Sequence, residues 1–289
     1  MESKTMLIML ISLTLFCVVL TVPTFASFSS IKQIFDTPSF ENAPEKNEIE
    51  AVIKEKNPLG FMVRNKDELN RAELAEVNDP TNLTLGRPVK VFIPNESVFQ
   101  ALMKNDPLTK LLKQCPYSWE FPVINKKSGE FVGSFRVEKI QGKWEFSELG
   151  GYLSSQTLSL ISDSSRLADF MGKAGVYAIE DYAFFTVMPL HTTFLLVVKE
   201  GEEYLVPFIH GDWKEAHGLR SGEIYSRDKV VSTVGPVLQQ FRENPNSLAG
   251  YPNKTDNKNI FKLPLIVLLI IIFGAVIGFY VFRRRMGQV

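Results

Sequence analysis

Three observations predict an α+β fold, with antiparallel sheet or sheets and packed helices in an exported domain, plus one C-terminal transmembrane helix. Residues 119–146 place aromatic and aliphatic side chains at every second position between glycine turns. Residues 157–173 and 234–243 space their apolar positions as helices do. Residues 263–282 read LPLIVLLIIIFGAVIGFYVF, without one charge. Period-two alternation marks half-buried strands, and a period near 3.6 marks helices with one packed face.

The chain opens with an apolar run, Met6 to Val22, behind Lys4 and ahead of Pro23-Thr24-Phe25-Ala26. A basic start, an apolar stretch and small residues before a cut predict a secretory signal over 1–26, cleaved after Ala26. Cys17 lies inside the run behind bulky Phe16, which argues against a lipidated cysteine. Residues 27–65 are polar and carry Pro38, Pro44 and Pro58, so an N-terminal arm with one short helix around Ile49–Ile53 is expected. An exported domain then spans 66–243, divisible into lobes 66–156 and 157–243.

Within it, KDELNRAELAE (66–76) reads as a helix with Asn65 as its N-cap. Residues 88–93 read as a strand, and 97–112 as a helix broken at Asn105-Asp106-Pro107. The three alternating runs around Phe121, Phe135 and Trp144, with turns at Ser128-Gly129 and Gln141-Gly142, predict an antiparallel meander closed by Leu149-Gly150-Gly151. A helix over 157–173 leads to strands between Val176 and Ile209, with a turn at Glu200-Gly201-Glu202. Phe121-Pro122-Val123-Ile124 with Ser128-Gly129-Glu130 is echoed by Val206-Pro207-Phe208-Ile209 with Ser221-Gly222-Glu223, the second copy carrying an insertion from Gly211 to Arg220.

Beyond the last helix, 244–262 is rich in Asn, Pro and Gly, as suits a flexible stalk. The twenty uncharged residues of 263–282 make a helix of about 30 Å, the thickness of a bilayer's hydrocarbon core. Arg283, Arg284 and Arg285 come next, which by the positive-inside rule predicts a cytoplasmic tail at 283–289 and an N-terminal domain outside the cell. No LPxTG-like pentapeptide precedes the span, and three terminal arginines do not suit a GPI signal. The expected location is the cell membrane, crossed once. Gly274 and Gly278 form a GxxxG pattern that lets a second helix approach closely, through which a protein partner or a second copy would associate.

Charge narrows the partners. The whole chain has 32 basic and 32 acidic residues, and the exported part 27–261 keeps 27 basic and 31 acidic ones. Such a surface is unsuited to nucleic acid. Once the signal is removed only Cys115 remains, so packing rather than disulfides holds the domain together.

Titratable groups cluster in the insertion alone, where His210, Asp212, Trp213 and His217 are the candidate binding residues, with Glu215, Arg220 and Glu223 nearby. An exposed loop mixing aromatic and charged side chains suits recognition. No HExxH or HxH spacing supports a metal there, and no cofactor is expected. The sequence also has no GxSxG elbow, P-loop, GxGxxG or SxxK motif. The expectation is a membrane-anchored binding protein. The rival readings are a tethered envelope enzyme using the His210–His217 loop, and an accessory subunit of a membrane complex.

Overall fold

A computed structural model describes residues 31–37, 39–211 and 213–244. The expected signal, the expected transmembrane helix with Gly274 and Gly278, the expected tail and the expected stalk beyond 244 lie outside the described residues, as does Asp212. Among the described residues, no helix is long and apolar enough to cross a membrane.

The strands are β1 (Leu83–Leu85), β2 (Val89–Phe92), β3 (Tyr117–Asn125), β4 (Phe131–Ile140), β5 (Lys143–Leu149), β6 (Asp181–Val187), β7 (Thr192–Lys199), β8 (Glu202–Ile209), β9 (Glu215–Ala216), β10 (Leu219–Arg220) and β11 (Tyr225–Ser226). Nine of them form one sheet in the order β11-β8-β7-β6-β2-β3-β4-β5, with β1 in line with β2 along β3. β9 and β10 form a separate hairpin. The predicted meander, β3-β4-β5, is present and antiparallel, and the strands expected between Val176 and Ile209 form a second one, β6-β7-β8. The halves expected as separable lobes are joined by β2, which pairs antiparallel with β3 and parallel with β6.

The turns follow from residue type. Gln141-Gly142, Glu200-Gly201 and His217-Gly218 each hold two successive positive φ angles, at 50° and 86°, 55° and 76°, and 53° and 71°. Such pairs match the twist of a two-residue hairpin, with glycine relieving the second position. Pro122 and Pro207 sit inside strands although neither has an N–H to give. Each faces a place where the neighbouring strand is interrupted, and there a glycine N–H donates to its carbonyl: Gly86 to Pro122 and Gly222 to Pro207, both at 2.7 Å. The internal echo goes no further in the pairing. Ser134 lies opposite Pro122, but Ser226 lies opposite Tyr204.

Helices cover both faces of the sheet. On one face, helices Ser155–Ile161 and Ser164–Lys173 bury Leu158, Leu167 and Met171 against Val91, Phe184, Leu195 and Val206. On the other, helices Glu96–Lys104 and Arg227–Glu243 pack Leu102, Val234 and Leu238 on Phe185, Phe194 and Leu205. Beside them, N-terminal residues such as Ile49, Met62 and Leu74 pack on Trp119, Phe121 and Phe135.

Three local expectations are corrected. The arm is packed: helices Lys46–Lys56 and Pro58–Arg64 bury Ile49 and Met62 completely, and the buried Glu45 carboxylate accepts from Tyr117 Oη at 2.9 Å and Trp119 Nε1 at 2.8 Å. Residues 66–76 are not one helix. It stops at Leu69 because Asn70 turns left-handed (φ 47°), and the Asn65 side chain donates backwards to the Phe61 carbonyl at 2.8 Å instead of capping the Lys66–Leu69 turn. The last helix starts at Arg227 rather than 234, because Ser226 caps it by accepting from Lys229 N.

One tertiary contact does what a local cap does elsewhere. Glu203 on β8, buried, accepts from Leu108 N at 2.9 Å, Thr109 N at 2.8 Å and Thr109 Oγ1 at 2.6 Å, and pairs with Arg227 at 3.2 Å. It thereby satisfies the start of helix Thr109–Leu112, which has no side-chain cap of its own, and ties that turn to the last helix. Burial alone would raise its pKa, yet these hydrogen bonds hold it below the ordinary value. Glu203→Ala is expected to cost about 3 kcal/mol, because it orphans buried donors and a partly buried arginine. Urea unfolding followed by tryptophan fluorescence measures this, and Glu203→Gln should lose less.

Candidate functional site

The insertion is a wall. β8 ends at Ile209, the chain passes through His210 and Gly211, and the β9–β10 hairpin returns it to Ser221, whose Oγ accepts from Ile209 N at 3.1 Å. Gly222 N then bonds Pro207 O, so both feet of the loop are fixed to β8. Between this wall and helices Ser155–Ile161 and Ser164–Lys173 runs an open groove of about 1100 Å³. Phe208 and Ile209 line its base, Leu160 and Phe170 its helical side, and Trp213 and Lys214 the opposite rim. Trp213 is 42% exposed, so much of the indole faces solvent rather than being folded under the loop.

Charges of both signs border the groove. Lys173 pairs with Asp169 at 2.7 Å, and Arg220 reaches Glu223 at 3.4 Å and Glu215 at 3.6 Å. Lys214, on the rim, forms no ion pair with a described residue. Serine hydroxyls from 154, 155 and 159 add neutral donors and acceptors.

The three described candidate residues differ in exposure. Trp213 is on the rim. His210 lies beneath it, 6% exposed, with Nε2 3.0 Å from Thr193 Oγ1, which is in turn 2.9 Å from Thr186 Oγ1. Its ring is stacked on Tyr152, with centroids 5.2 Å apart and planes 7° from parallel. Gly211 N donates to Tyr152 O at 2.9 Å, so backbone and ring together bind the insertion to the loop after β5. His217 occupies the first turn position of the hairpin, where its φ of 53° is set by the hairpin geometry. His210 Nδ1 and His217 Nε2 are both buried without a hydrogen-bond partner among the described residues. Neither ring bonds a described carboxylate, and no three described His, Cys, Asp or Glu side chains are grouped to hold a metal ion.

Burial, with lesser contributions from His191 and Arg136, pushes the His210 pKa down to about 3, and burial likewise lowers that of His217. His210 is therefore neutral at ordinary pH and serves as a hydrogen-bonded wedge. A group so hard to protonate, with no described carboxylate to orient it, is poorly placed for acid–base chemistry.

The sequence reading missed the polar cluster beyond Tyr152. Glu120, buried on β3, accepts from Ser134 Oγ and pairs with Arg136 Nε at 3.1 Å, while Arg136 Nη1 reaches Glu148 at 3.0 Å. Gly151 (φ 60°) closes over it. A Cβ there would lie 2.0 Å from Ser134 Oγ, so only glycine fits. Burial raises the Glu148 pKa to about 7. Arg136 opposes this, but Glu120 and Glu138 reinforce it. Charged residues at alternate positions, Glu120 on β3 and Arg136 on β4, were the available signal, since a strand so rich in core residues rarely buries charge unpaired.

These shifts predict two opposite pH slopes. His210 is depressed below its unfolded pKa near 6.5, so its contribution to stability is complete above that pH and is lost on acidification towards 3, at about 1.4 kcal/mol per pH unit. Glu148 is raised, so its contribution is complete below about 4.5 and is lost as pH rises through 7. Urea unfolding of His210→Gln between pH 4 and 7 should show a flatter acid slope than wild type, and Glu148→Gln should gain relative stability at pH 8. Compared with protein-family models, curated proteins and solved structures, the chain matches none.

Proposed function

We propose that this chain is a single-pass membrane protein whose exported α+β domain binds a polar, extended segment of a partner protein in the groove under Trp213, without catalysing a reaction. The observation that carries the reading is the solvent-facing indole on the rim of a groove of about 1100 Å³, beyond the usual size of a small-molecule pocket. Large aromatic side chains left in solvent beside mixed charges are typical of binding hot spots. The neutral, wedged His210 weighs against the tethered-enzyme alternative.

The anchoring half of the proposal rests on sequence: the uncharged run 263–282, the three arginines after it, and the apolar N-terminal run. Tethering would raise the effective concentration of the groove near the bilayer, with 244–262 setting its reach.

Two measurements test it. Alkaline carbonate is expected to leave the full-length protein in the membrane fraction, and protease added to intact cells is expected to digest the domain. Release by carbonate, or protection from protease, would refute the topology. Quantitative comparison of proteins co-purifying from detergent extracts should show a partner reduced at least tenfold by Trp213→Ala, and unchanged by Phe61→Ala, an equally exposed aromatic elsewhere.

A further inference from the structure

β2 and β6 are bridged only through Val91↔Phe184 and Phe92↔Phe185, although both strands extend further towards their N-termini. Where they part, at Val89–Lys90 and Asp181–Ala183, a cavity of about 390 Å³ opens in the sheet itself. Phe35, Leu167 and Phe184 close one face of this gap, and Phe92 and Cys115, with the Tyr117 ring edge-on to Phe92, the other. Its volume falls in the lower part of the range of about 300–1,000 Å³ found for small-molecule sites.

The charges around the gap are unevenly matched. Arg87 is engaged by Asp36 at 3.6 Å and by the Phe35 carbonyl, and Lys113 by Asp181. Lys90 has no hydrogen bond or ion pair with a described residue. Its Nζ rests over the Tyr117 ring, 3.5 Å from the centroid, with Phe92 at 5.4 Å. The carboxylate whose field reaches it, Glu45, is already held by Tyr117 and Trp119. A half-buried ammonium whose carboxylate neighbour, Glu45, is already committed to two other donors, at the mouth of an apolar slot, is an incomplete charge pair among the described residues.

We infer that this gap is a binding site for a small amphiphilic carboxylate, its anionic head on Lys90 and its apolar body against the part-exposed Pro88, Phe92 and Tyr182. The aromatic pair under Lys90 orients the ammonium and leaves its donors free for the acid. The size of the slot excludes long acyl chains. The site is distinct from the groove under Trp213 and shares no lining residue with it. Its occupation would brace the place where the two halves of the sheet are least joined.

The test uses the full-length chain in detergent and 4-phenylbutyrate as probe, observed by saturation-transfer NMR against detergent alone. Saturable transfer is expected with the wild type and with Lys90→Arg. Lys90→Gln, and the neutral 4-phenylbutyramide offered to the wild type, should each bind at least tenfold more weakly. Thermal unfolding by circular dichroism checks that the variants are folded. No saturable binding to the wild type, equal binding of acid and amide, or undiminished binding to folded Lys90→Gln would overturn the proposal. Should Lys90→Gln fail to fold, the comparison of acid with amide on the wild type decides by itself.

Discussion

The architecture depends on four residues. Among the described strands, β2 (Val89–Phe92) alone touches both meanders, through four pairings to β3 and two to β6. Hairpins assemble locally, because their strands are adjacent in sequence, but the β2–β6 pairing joins segments almost a hundred residues apart and is the one parallel contact among the described strands. The packing on both faces follows from it. Val91 aligns with Phe184 so that helices Ser155–Ile161 and Ser164–Lys173 meet one continuous apolar surface, and Phe92 continues the opposite face beside Phe185. The price of so short a seam is the gap below it, where strand pairing stops and a cavity begins.

Much of the fold was legible in the sequence. The aromatic alternation of β3 to β5 and the X-Gly turns at 141–142 and 200–201 are local signals, and the structure follows them. What was not legible is non-local. Nothing near Thr109 announces that Glu203, from β8, caps its helix. Glu45 likewise looks like an ordinary surface residue until Trp119 and Tyr117 are placed against it, and its burial turns a stretch punctuated by prolines into part of the core. The false helix at 66–76 arose because composition favours helix there while one asparagine, Asn70, ends it.

The site was legible as a segment and not as an arrangement. Reading the insertion as a recognition loop identified Trp213, the side chain that remains in solvent. The same reading grouped His210 with it because they are three residues apart, but the chain has left β8 at Ile209, and the two differ in exposure: His210 is turned into the interior and Trp213 belongs to the rim. His217-Gly218 carries the same turn signature as the two recognised hairpins, and that signature could have revealed the β9–β10 wall.

That wall has a wider consequence. Its two short strands pair only with each other, apart from the sheet that carries the core, while Ser221 and Gly222 secure its base to β8. Leu219 and Ala216 are buried, Leu219 within the core under helix Arg227–Glu243, so the hairpin's exposed positions Lys214, Glu215 and Arg220 are the ones uncoupled from the energetics of the scaffold. Substitution at those three positions changes the charge along one side of the groove while leaving the strands beneath it as they are.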